Sequence, residues 1–192
     1  QLQFEESVLV GGVYVPQEFT DECMVYRRYI EKAWYGALPD YPDQMTIEHL
    51  FVTAANLSIK KDTFLRLKGF NESLTDAEDR ELGLRILKAK IPVYLNKSIV
   101  GWHNDQTTWD QYFVRKHQYL EGNKELSKLQ HKREAHSKKR IPLLKQVILP
   151  IIQWSFWARW LKKNRLVWIP QSIRFRLYNL IIWTYTERVK TD

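Results

Sequence analysis

Strand and helix signals alternate along the first two thirds of the chain, and this alternation constrains the fold more than any other feature. Val8–Val15 reads VLVGGVYV, a β-branched run closed by Pro16, and Thr20–Leu38 carries a helical pattern before the turn-rich PDYPDQ. Phe51–Ile59 predicts a second strand. Lys61–Lys68 predicts a short helix stopped by Gly69. Ala77–Lys90 predicts a longer one, with Leu82, Leu84, Ile86 and Leu87 as its apolar content and Pro92 past its end. Val93–Leu95 and Ile99–Trp102 predict short strands, and Trp109–Leu129 a further helix. The order is that of an α/β fold.

The last third is different. Residues 131–192 hold 14 Lys and Arg against 3 Asp and Glu, net +11, whereas residues 1–130 are net −3, so the overall charge of +8 belongs to the tail. Five of the eight tryptophans lie there too, and Trp beside Lys and Arg is the composition of surfaces that meet lipid headgroups or nucleic acid. The polar, basic run KLQHKREAHSKKR at Lys128–Arg140 has no apolar periodicity and marks a boundary, giving units of 1–130 and 131–192. The longest stretch free of Lys, Arg, Asp and Glu, Gln146–Ala158, is too short to span a bilayer and contains Pro150. The lone cysteine, Cys23, has no intrachain disulfide partner, which agrees with a reducing compartment. No signal-peptide pattern is visible, and the chain reads as a piece of something longer.

Few residues carry chemistry. In TDAEDREL, Glu78 and Asp79 open the Ala77–Lys90 helix, where backbone amide dipoles favour an ionised carboxylate able to act as a general base. Thr75 and Glu78 also have the spacing of a capping box, and Asp79 is equally a surface carboxylate within reach of Arg80 or Arg85. His103 follows the strand SIVGW, at a strand end where ligands are commonly bound, although a single histidine there is also an ordinary structural residue. Asn104 and Asp105 beside it read as a polar turn. Zinc, hydrolase-elbow and P-loop motifs are absent.

The segments TAANLSIKKDTFLRLKGFNESL, AEDRELGLRIL and SIVGWHND, in that order, resemble the second half of a family 2 glycosyltransferase of the GT-A fold. Thr53, Asn56, Gly69, Phe70, Asn71, Glu72, Glu78, Asp79, Leu82, Arg85 and His103 match the family pattern, and the likeness covers about Val8–Leu129. Tyr119 and Gly122 match the helix after the histidine in non-processive members, and the Gln-x-x-Arg-Trp motif of processive synthases is absent. Two departures stand out. Lys68 replaces the first glycine of the family's Gly-Gly-Phe, and nothing before Val8 resembles the nucleotide-binding half with its Asp-x-Asp-type motif.

The resemblance implies a partial GT-A domain followed by a helical appendage. It implies transfer of a sugar from a nucleotide-sugar donor to the hydroxyl of a glycan or lipid-linked acceptor by inverting displacement, in cell-surface polysaccharide or glycolipid synthesis. Asp79 would take the acceptor proton, and Glu78 would position the acceptor or cap the helix. His103 would help coordinate a divalent metal, Mn²⁺ or Mg²⁺, and Asn56, Arg85 and Trp102 would contact substrate. Without the donor half, the chain alone is expected not to turn over a nucleotide sugar.

In the tail, Ile141–Leu161 predicts an apolar helix divided at Pro150, and the segment after Pro170 carries the stripe Phe175, Tyr178, Ile182, Tyr185 and Val189 opposite Arg176, Asn179, Thr186 and Lys190. Residues 141–190 thus suit either a membrane surface or packing against the protein or a second copy of it. The first choice places the enzyme in the cytoplasm, at the inner face of the cell membrane. A non-catalytic binding or membrane-docking module of transferase shape is the alternative, supported by the missing donor half and Lys68. A nucleic-acid binder is a further competitor, weakened by the acidic balance of residues 1–130.

Overall fold

The computed structural model describes residues 6–74, 76–129 and 155–191, which form a mixed α/β protein with a small three-stranded sheet. Two compact units divide the chain: Gln1–Phe19 with Arg27–Asp105, and Thr20–Tyr26 with Gln106–Asp192.

The first unit is built on β1 (Val8–Tyr14), the central strand. β2 (Leu57–Ser58) pairs with it antiparallel and β3 (Val93–Trp102) pairs with it parallel. A parallel neighbour needs a crossover, and α1 (Glu22–Ala37), α2 (Lys61–Arg66) and α3 (Glu78–Lys88) lie between the two strands in sequence. Val8 and Val10 of β1 and Val93 and Leu95 of β3 point the same way, as period-two alternation requires. They form a core with Leu82 and Ile86 of α3 and with Tyr35, Met45, Val52 and Ile91.

Three expectations are corrected in this unit. Phe51–Ile59 is not one strand, because the Thr53 hydroxyl accepts the Ala55 N–H at 3.3 Å and starts a 3-10 turn over Ala54–Asn56, leaving only Leu57–Ser58 to pair. The two short strands predicted at Val93–Leu95 and Ile99–Trp102 are one strand with a break in register. Gly11 faces Asn96 but Gly12 faces Val100, and Asn96 closes the intervening turn by accepting the Ser98 N–H at 3.0 Å. Glu78 is not the third helical residue that a capping box needs: Ala77, with φ 66°, is the N-cap and Glu78 the first helical residue, while Thr75 lies outside the described residues.

In the second unit, α4 (Trp109–Leu129) has the predicted bounds, and α5 (Ser155–Lys162) and α6 (Gln171–Thr191) follow. Its core is aromatic. Tyr26 packs against Trp109, Tyr112, Phe175 and Tyr178 at ring separations of 5.5–6.1 Å, and its hydroxyl donates to Asn179 Oδ1 at 2.7 Å. Glu22 forms a half-buried ion pair with Arg174 at 2.6 Å and accepts from the Tyr178 hydroxyl at 3.1 Å. These contacts anchor the Trp109 helix to the aromatic residues of α6 within one unit. Of the predicted α6 stripe, Phe175, Tyr178 and Ile182 are covered by protein and Tyr185 stacks on Phe113, while the Val189 side chain lies outside the described residues. Most of the helix predicted over Ile141–Leu161 also lies outside them. Among the described residues no helix is long and apolar enough to cross a membrane.

Candidate active site at the start of α3

Asp79 sits in the first turn of α3, with Glu78 and Glu81 beside it. Its Oδ1 accepts the Arg80 N–H at 2.7 Å, and the nearby Ala54 amide at the head of the 3-10 turn also favours its ionised form. Of the two arginines within reach in sequence, Arg80 and Arg85, the guanidinium of Arg85 pairs with Glu81. The two amides and the helix start favour the ionised form of Asp79, but they do not prevail. Burial, with the negative charges of Glu78 and Asp76, holds the Asp79 carboxyl above the usual aspartate range. The sequence expectation of a carboxylate favoured in its ionised form is therefore reversed in direction. A half-buried carboxylate with raised proton affinity, beside two backbone amides, is suited to receiving a proton.

Asn56 ties the 3-10 turn to the sheet. Its side-chain NH₂ donates to Gly12 O at 3.1 Å and to Ile99 O at 3.3 Å, bridging β1 and β3 at the register break. Glycine makes this possible, since a Cβ on Gly11 would come within 2.2 Å of Asn56 Nδ2 and one on Gly101 within 3.1 Å. Both amide donors of Asn56 are thus taken by backbone, which leaves its carbonyl oxygen as the group for a substrate contact.

Arg85 likewise works inside the protein. Its guanidinium pairs with Glu81 at 2.6 Å and donates to the carbonyls of Leu67 and Gly69, clamping α3 to the turn after α2. Beside this clamp lies a hollow of about 410 Å³ lined by Lys68, Phe70, Asn71, Glu72, Glu81 and Arg85. The turn requires left-handed backbone at two successive positions, Lys68 at φ 66° and Gly69 at φ 63°.

His103 lies just past β3, fixed by its N–H donating to Tyr14 O at 2.8 Å. His103 therefore lies at the carboxyl end of β1 and β3, and Asn56 ties the 3-10 turn that begins at Ala54, near Asp79, to the same two strands. Ligands of α/β sheets bind at such an end. Trp102, 62% exposed, presents its ring there.

His103 has the Arg27 side chain as a neighbour. Its Nδ1 is 3.4 Å from the Arg27 guanidinium, and arginine only donates, so Nδ1 accepts. Among the described residues no three His, Cys, Asp or Glu side chains are arranged to hold a metal ion.

Arg27 and Glu31 escaped the sequence reading. Arg27 also donates to Asp105 O at 3.2 Å and lies 3.7 Å from Glu31. Glu31 accepts from the Val15 N–H, and burial raises its carboxyl above the ordinary range. Arg27 and His103 are 76 positions apart, and only the packing of α1 beside the end of β1 brings them together. Their i, i+4 spacing on a predicted helix was the one available signal for an Arg27–Glu31 pair. No family model, curated protein or solved structure matches the chain.

Proposed function

We propose that the α/β unit is the acceptor-side portion of a GT-A glycosyltransferase resembling family 2, and that Asp79 is its general base. The supporting observation is the Asp79 carboxylate itself: half-buried, raised in proton affinity, and beside the Arg80 and Ala54 amides, near the 3-10 turn that Asn56 ties to β1 and β3. In the proposed step the acceptor hydroxyl transfers its proton to Asp79 as its oxygen bonds to the anomeric carbon. The sugar–phosphate bond breaks on the opposite face, and its electron pair leaves with the nucleoside diphosphate. The negative charge of Glu78 strengthens the base, a role that needs no substrate contact. Trp102 offers an exposed ring against which a sugar can stack.

The non-catalytic reading draws support from one observation, the Arg27 guanidinium against His103 where the family resemblance calls for a metal ligand. A single assay separates the two. The chain, expressed with the coding sequence upstream of Gln1, is offered a panel of nucleotide sugars and hydroxyl acceptors, and formation of glycosylated product is followed. The transferase reading predicts product with at least one donor. Donor binding with no product across the panel supports the non-catalytic module.

A further inference from the structure

We infer that the turn joining α5 to α6 is a docking site for an anionic phospholipid surface. This inference is independent of the transferase reading. The turn is firmly built. Leu161 and Leu166 are buried beneath it, Asn164 takes left-handed backbone at φ 51° and accepts the Trp109 indole N–H at 3.0 Å, and Arg174 Nη1 donates to Val167 O at 2.6 Å and Ile169 O at 2.9 Å. So rigid a turn holds its outward side chains in fixed positions, and they are apolar. Trp168 is 75% exposed, Val167 49%, and Ile173 at the start of α6 54%. The turn borders a shallow hollow of about 690 Å³ that Phe156 and Trp160 share with Arg159, Lys163 and Arg165.

Charge identifies the occupant. From Ala135 to Thr186 the sequence contains no Asp or Glu, while Arg159, Lys162, Lys163 and Arg165 crowd the exposed rim. Lys162 pairs with Asp110 at 2.5 Å. Indole and aliphatic groups ringed by cations match the boundary between acyl chains and negatively charged headgroups. A polyanion without an apolar layer would leave Val167 and Ile173 in water. The site differs from the aromatic stripe of α6, whose Phe175, Tyr178 and Ile182 are buried in protein.

The full chain is tested by vesicle co-sedimentation with phosphatidylcholine alone and with phosphatidylcholine containing phosphatidylglycerol. Binding is expected only to the anionic vesicles. Trp168→Ser should weaken it at least about tenfold, and K163Q/R165Q about fivefold per charge removed, as about 1 kcal/mol per basic residue implies. Thermal melts establish that each variant is folded, and Trp168→Phe, which keeps an apolar ring, should retain most of the binding. The inference is overturned if wild type ignores anionic vesicles, if it binds neutral ones equally well, or if the folded Trp168→Ser variant binds unchanged. Duplex DNA binding without vesicle binding, or self-association that Trp168→Ser abolishes without vesicle binding, overturns it as well.

Discussion

Asp79 carries an electrostatic penalty that can be measured without knowing any substrate. Its carboxyl has a higher pKa folded than unfolded, chiefly because it is buried. Below the unfolded value both states are protonated and the residue does not oppose folding. As pH rises, the unfolded chain releases its proton first, so the folded state loses relative stability until the folded value is passed. Asp79→Asn should therefore raise the melting temperature at neutral pH, with the gain vanishing as pH falls beneath the ordinary aspartate range. A gain that does not change with pH would contradict the raised pKa. Lys68 is strained in a different way. A side chain in left-handed backbone costs about 1–2 kcal/mol, and glycine returns part of that gain through the freedom of the unfolded chain. Lys68→Gly should leave the protein up to about 1 kcal/mol more stable in urea melts, and a clear loss would show that the lysine side chain supports the turn.

At the scale of elements, Asn56 holds the site together by joining the 3-10 turn to both long strands. Removing its amide leaves two carbonyls short of a donor, so Asn56→Ala should cost about 1–3 kcal/mol in denaturant titrations. Loss of amide-exchange protection in Ile99–Trp102 should accompany that cost, and unchanged protection there would show that the bridge is dispensable. The helices were legible in the sequence because apolar periodicity and terminal signals are local: α1, α3 and α4 lie within two residues of their expected bounds, as Glu22–Ala37, Glu78–Lys88 and Trp109–Leu129. The interrupted strands were less so. Whether Phe51–Ile59 pairs along its length depends on a competing Thr53 hydroxyl, and whether β3 is one strand or two depends on how its partner spans the bend at Asn96–Ser98. Both are decided between segments distant in sequence.

On the scale of the whole molecule, the partners of the candidate residues were not legible in the sequence. Arg85 was readable as a basic residue one helical turn beyond Glu81, yet its clamp on Leu67 and Gly69 emerges only when α3 meets the turn after α2. The Arg27–His103 contact has no local signal at all. Of residues 141–190, which the sequence left open to a membrane surface or to protein packing, the α6 residues Phe175, Tyr178 and Ile182 serve as core, and the proposed lipid contact rests on the exposed α5–α6 turn. The most direct test of Asp79 as the proton acceptor is the transfer rate of Asp79→Asn at saturating donor, measured beside donor affinity. Loss of a general base predicts a fall of about 10²–10⁴-fold in turnover with donor binding unchanged. Transfer within a few-fold of wild type would contradict the assignment.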